Sequence, residues 1–419
     1  MNKRVLLTVS CAALSALILL VGFKGLNQQL VHAQEAAERF WVFDGHMHPI
    51  SSVYRRGGTI GEPNADPRFT LALAEQGGLG AAYFNTSIDE FYEANHLAVK
   101  DALKQIDRFY REIAMYPDQV GVATNAQQVR ALRREGKIAA ILAIEGALAI
   151  ESDLGVLRMF HRLGLREMNL VHLRANHIGD VGYSTANLGR GYGLTRFGHE
   201  LVAEMNRLGI LIDLSHTAEQ TVVDVIEAST QPVSTTHSGA RAVSGSGWRD
   251  EVIQKLAAKG GVICVPFLPM TVSREFREKQ PRGGTPRASR LVGWGPLIFR
   301  GDPATIYEFI DERNQRSEAG RGERAGQVRQ DLPPLSDLID HIDHIVRLVG
   351  VNHVGISSDF GGYPNNIKGA QNAGEYQNIA QALLQRGYSG EDVAKIMGEN
   401  MLRLFDEVES TAGINSAGN

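Results

Sequence analysis

From residue 41 onward the chain repeats one unit, a short apolar run rich in β-branched and small residues followed by an amphipathic stretch. The apolar runs fall at 41–44, 79–84, 138–144, 168–171, 210–214, 233–236, 262–266 and 353–356. Between them, apolar residues recur with helical period at 197–208, 219–229, 251–259 and 337–349. Strands that alternate with helices build βα units, and βα units build a parallel sheet. Eight such units predict an α/β protein of the (β/α)8 TIM-like barrel type. With 419 residues the chain is long enough for one large barrel or for two ordinary domains. A doubly wound open sheet is the rival, but no GxGxxG follows the first run. The glycine-rich piece Gly189 to Gly193 lacks a strand-to-helix setting and reads as loop.

Three segments stand outside this rhythm. Residues 273–334 contain Arg-, Gly- and Pro-rich stretches, follow the seventh run and delay the eighth. In a barrel they form an insertion over the C-terminal rim, either a solvated excursion or a lid or partner-binding arm. Residues 1–33 begin with Lys3 and Arg4, run without charge from Val5 to Phe23, and offer Val31-His32-Ala33 as a cleavage site. That stretch is a secretory signal peptide or, being long enough to span a bilayer, an N-terminal membrane anchor. Both readings export the body, either released or tethered by residues 5–23. The folded domain is expected over 40–410, with a polar tail at 411–419.

Composition narrows the function. A formal net charge of −4 excludes a nucleic-acid binder that relies on a basic surface. Two cysteines, Cys11 and Cys264, cannot build a disulfide framework or a Cys-rich zinc site. Metal ligands would have to come from the 13 histidines and the carboxylates.

Such residues cluster where the apolar runs stop. His46 and His48 close the first run, Glu145 the third, His216 the fifth, His237 the sixth and Asp359 the eighth. In a barrel all of these converge on one rim. His46 and His48 stand two apart on an extended segment and so share a face. Imidazoles and carboxylates are the ligands of a hydrolytic zinc site. Glu145, at an apolar strand end, needs a cationic partner to stay ionised.

The chain resembles the membrane dipeptidase (renal dipeptidase) family of binuclear zinc peptidases, of the metallo-dependent hydrolase type, from about residue 43 to 408. The likeness rests on Phe43-Asp44-Gly45-His46, Ile144-Glu145-Gly146, the GLTRFG run at 193–198 and the NRLGILIDLSH run at 206–216. It continues through Thr236-His237-Ser238, HIDHI at 341–345, GISSDF at 355–360 and GENMLR at 398–403. The resemblance implies two zinc ions bridged by Glu145 and a water or hydroxide. His46, His48 and Glu145 would hold one ion, and Glu145, His216 and His237 the other. Asp359 would handle the proton of the bridging water, and His172, after the fourth run, would stabilise the tetrahedral intermediate. It also implies a dipeptide or small amide substrate and a homodimer. Two departures stand out. The family has aspartate where this chain has His48, so the centre is expected to be more electropositive and to hold anionic groups more firmly. The family arginine that grips the substrate carboxylate matches Arg249, with Arg241 as the fallback, because the segment between them is shortened.

Other assignments remain beside this one. A different amidase or lactamase could use the same centre, and so could a phosphoesterase, although no basic phosphate-binding set is evident. An exported binding protein with an inactive site is the alternative from another class. His161, His177, His199, His341, His344 and His353 read as surface or helix-packing residues. Asp213 is placed to orient a histidine ligand, and Trp248 and Trp294 serve in packing or line a pocket.

Overall fold

The computed structural model describes residues 39–412 apart from 64–65, 89–91, 93–94, 174, 183–192, 280–306, 309–311 and 313–330. The expected export segment, Trp294, most of the 273–334 insertion, most of the glycine-rich loop and residues 413–419 of the tail lie outside the described residues. Thr411 and Ala412, assigned to that tail, belong instead to the last helix. Among the described residues no helix is long and apolar enough to cross a membrane.

The strands form one parallel sheet that curls into a nearly closed barrel. They are β1 Val42–Met47, β2 Leu79–Ser87, β3 Val120–Val122, β4 Ile138–Glu145, β5 Glu167–Asn169, β6 Leu211–Asp213, β7 Ser234–Thr235, β8 Val262–Pro266 and β9 Val354–Ser357. Hydrogen-bonded neighbours run β1-β2-β4-β5-β6-β7-β8-β9, with β3 paired to β4 beside this path. Beyond the last bridge, the Asp359 N–H donates to the His46 carbonyl and the His48 N–H to the Phe360 carbonyl, at 2.8 and 2.7 Å. These two bonds join the first and last strands at the rim. The eight expected strands are all present. β3 is an addition that its three residues were too few to announce.

Helices surround the sheet: α1 Pro49–Arg56, α2 Leu71–Gly77, α3 Ala98–Met115, α4 Ala126–Arg134, α5 Leu154–Arg162, α6 Arg196–Leu208, α7 Glu219–Ala228, α8 Asp250–Ala258, α9 Leu335–Val349, α10 Tyr376–Arg386 and α11 Asn400–Ala412. Local chemistry sets their ends. The side chains of Asn125, Asp153 and Thr195 accept the first free N–H groups of α4, α5 and α6. Gly209 closes α6 at φ 69°, a conformation that suits glycine.

Alternating strand residues feed two cores. Ile144, Met168 and Ile212 face outward to the helices. Their neighbours Ala143 and Leu211 face the barrel interior with Phe43, Tyr83 and Cys264. The barrel floor is closed by α11, whose Phe405 lies edge-on to Tyr83 at 6.1 Å between ring centres. Replacing this buried ring leaves a cavity that a closed barrel cannot collapse. Phe405→Ala should therefore lower unfolding stability by about 3–5 kcal/mol in denaturant titration. A loss under 1 kcal/mol would mean that α11 is not part of the barrel core.

Candidate metal centre

Each chemical residue sits where its strand meets the rim, because the chain turns there. His46 is in β1, and His48 is the residue before α1, whose first position is Pro49. Proline fits that position because its missing N–H is not needed there. Glu145 ends β4. His216 and His237 follow β6 and β7 by a few residues, and Asp359 follows β9 by two. His216 and Asp359 have φ of 65° and 53°, in the left-handed region where a side chain costs roughly 1–2 kcal/mol. Surrounding contacts must hold them there. Asp44 accepts from the N–H groups of His46 and Ser358 and from the Tyr376 hydroxyl, tying β1 to the Asp359 turn. Gly362 has no room for a Cβ, which would fall 2.0 Å from Asp359 Oδ1.

The buried carboxylate of Glu145 is the hub. Its Oε1 lies 3.1 Å from His216 Nε2, 3.5 Å from His46 Nε2 and 3.6 Å from His237 Nε2. Its Oε2 lies 3.5 Å from both His48 Nε2 and His172 Nε2. Asp359 Oδ1 is 3.4 Å from His48 Nε2. Two nitrogen pairs meet face to face, His216 with His237 at 2.6 Å and His46 with His48 at 3.0 Å. Each pair shares a proton between its two nitrogens or turns both lone pairs toward one cation. Ligand atoms within 4.8 Å of one another form three overlapping groups: His46, Glu145 and His237; His46, His48 and Asp359; Glu145, His172 and His216. Nitrogen and carboxylate donors in this number fit zinc.

Support from behind fixes the rings. His46 Nδ1 is 3.0 Å from the Asn85 amide nitrogen, while the buried Asn85 amide oxygen has no partner. Turning that amide by 180° lets the oxygen accept Nδ1–H and leaves Nε2 free to bind a cation. Asp213 accepts from the Ser215 and Thr236 hydroxyls and from both of their N–H groups. Ser215 Oγ in turn accepts the His237 N–H, and Thr236 Oγ1 lies 3.1 Å from the Nδ1 of both His46 and His237. Asp213 thus orients the histidines through two hydroxyl residues. Asn85, Ser215 and Thr236 were not singled out from the sequence. Thr236 and Ser215, each preceding a ligand histidine, carried the nearest signal.

The charges are strongly coupled. Burial would protonate Glu145, but His172 and His48, with hydrogen bonds from His216 and His46, hold it well below the usual carboxylate range. Burial also opposes a charge on His46, yet Glu145, Asp359 and Asp213 lift it to about 8. His48 is driven down to about 3, chiefly by burial, with the neighbouring imidazoles adding to this. Burial raises Asp359 to about 7. One layer deeper, Glu167 is also buried, has no hydrogen-bond partner among the described residues for either carboxyl oxygen, and is pushed far up by burial, Asp213 and Glu145. Two buried glutamates are thus shifted in opposite directions because one has imidazoles around it.

The remaining residues fall outside the cluster. Arg249 and Arg241 both hold Glu219, at 2.8 and 2.9 Å. Trp248 is packed into the core, its indole N–H donating to Thr235. His344 pairs with Asp250 at 2.8 Å, and His353 meets the Gly261 carbonyl, so both act in packing.

A family model described as membrane dipeptidase (peptidase family M19) matches residues 30–417. The chain is 30% identical to dipeptidase tcpJ of Claviceps purpurea, a match that covers 88% of this chain and 77% of the relative. Among solved structures, the probable dipeptidase PvdM from Pseudomonas aeruginosa aligns with a TM-score of 0.70 and 24% identity, covering 92% of this chain and 99% of that one. A metallo peptidase from Rhodobacter sphaeroides, liganded with a phosphinate mimic of L-Ala-D-Ala, aligns with a TM-score of 0.67 and 22% identity. That alignment covers 88% of this chain and 100% of the other.

A cation bound here must displace the proton of His46, whose pKa lies near 8. Each proton lost makes binding weaker as pH falls below the pKa of its group. Zinc affinity, measured by competition with a chromophoric chelator, should therefore fall between pH 8 and pH 6, by up to about tenfold per unit for each displaced proton. An affinity constant across that range would show that the cluster does not bind the ion through this group.

Proposed function

Because the chain belongs to the membrane dipeptidase family, peptidase family M19, we propose that it is a metallo-dipeptidase that hydrolyses the amide bond of dipeptides with two zinc ions. One observation carries the reading: a buried carboxylate stands between two facing imidazole pairs. His46, His48 and Glu145 would hold one ion, and Glu145, His216 and His237 the other. When bound, the ions supply Lewis acidity and lower the pKa of a shared water toward neutrality.

The chain's own groups do the rest. Asp359 is within reach of the same cluster, and its pKa near 7 suits a group that takes a proton and returns it. It removes the proton of the attacking water and delivers it to the departing nitrogen. His172 is the most open of the five imidazoles, 17% exposed against 0 to 8% for the others. That position suits it to donate to the substrate carbonyl oxygen as charge develops there. Arg249, with Arg241 as the fallback, is the group for the free carboxylate of the substrate, in exchange for the Glu219 carboxylate that both arginines hold here. Having His48 in place of a carboxylate leaves the centre one negative charge short, which favours anionic groups. The uncharged run at 5–23 behind Lys3 and Arg4 supports an exported location for this hydrolase.

Zinc-loaded protein should cleave members of an L,L and L,D dipeptide panel, and a chelator should stop it. Glu145→Gln and His216→Ala should lose both bound zinc and turnover. Asp359→Asn should keep its zinc while kcat falls by roughly 10²–10⁴. Full activity in Asp359→Asn would remove it from the proton-transfer role, and cleavage of aryl phosphates in place of dipeptides would favour a phosphoesterase.

A further inference from the structure

We propose that His341 is a positioning residue for recognition of the substrate carboxylate, acting through the loop that follows β7. This rests on the dipeptidase reading above, in which Arg249, with Arg241 as the fallback, meets that carboxylate.

His341 lies on α9, which supplies no ligand to the metal cluster, and it is fully buried. Both of its ring nitrogens are nonetheless used. Nδ1 accepts the Ala240 N–H at 2.9 Å, and Nε2 faces the Val272 carbonyl at 3.2 Å. This arrangement requires a neutral ring with its proton on Nε2. Burial keeps it so, pushing the imidazole down to about 4.

Ala240 is the root of the loop. On either side of it the loop is closed by Trp248 N–H to the Gly239 carbonyl and by Arg241 N–H to the Trp248 carbonyl, each 2.8 Å. Arg241 and Arg249 project from the two strands of this closure and meet on Glu219. His341 therefore fixes the base of a frame from which both arginines extend. The fit is tight, since a Cβ on Gly239 would sit 2.9 Å from His341 Cε1 and one on Gly247 would sit 1.9 Å from the Gly239 carbonyl oxygen. The opposite bond to Val272 ties the frame to the segment after β8. The Ser244 hydroxyl adds a second tie there by donating to the Thr271 carbonyl at 2.6 Å.

The test compares His341→Leu with His341→Asn. Asparagine places its amide oxygen where ring Nδ1 stands and can still accept from Ala240, whereas leucine cannot. With zinc-loaded protein and a dipeptide bearing a free carboxylate, His341→Leu should raise KM about tenfold with kcat within about threefold. His341→Asn should return KM to within about twofold of the parent. Bound zinc should stay unchanged in both, and kcat/KM for the C-terminal amide of the same dipeptide should not move. Equal KM shifts in the two variants, an equal effect on the amide, or loss of zinc would overturn the assignment. If the parent protein cleaves dipeptides and His341→Leu is kinetically normal, only this inference falls. If the parent cleaves none, the dipeptidase reading falls and takes the inference with it.

Discussion

The structure is organised around a buried carboxylate. Glu145 ends a strand whose residues are all buried, where an isolated negative charge would be costly. Its carboxyl is held below the usual carboxylate range by His172, His48, His216 and His46, which come from three other βα units. Glu167 provides the internal contrast, since it shares the burial, lacks the imidazoles and has its carboxyl pushed far up. The charge of the centre is thus a property of what the barrel gathers at its rim and not of depth alone. Metal and protons compete for the imidazole nitrogens of this centre.

Holding such a set together imposes strain that the rest of the fold absorbs. Two of the chemical residues, His216 and Asp359, lie in a backbone region that side chains normally avoid. Asp44 and Asp213 each collect several donors, and both act through backbone and hydroxyl groups next to the ligands. Neither carboxylate needs to touch the reacting atoms to matter, because each fixes the direction in which a ligand points.

Much of this could be read from the chain because it is local. A strand end, a short turn and a ligand lie within a few residues of one another, so the eight runs and His46, His48, Glu145, His216, His237 and Asp359 announce themselves. What could not be read depends on distant partners. Asn85 behind His46 and Thr236 beside Asp213 are ordinary polar residues until the barrel closes. The pairing of both candidate arginines with Glu219 has no signature in spacing, and His341 looks like any helix-packing histidine until its two backbone partners are known. β3 was missed because three residues carry no period.

The seam between the first and last strands has a temporal consequence. His46 and His48 leave the ribosome early, whereas Asp359 and the bonds that seat it against β1 come from far down the chain. A nascent chain therefore carries most of the donors long before any of them face each other. A product that ends before residue 354 would carry every one of these histidines yet lack the strand that seats β1 against Asp359.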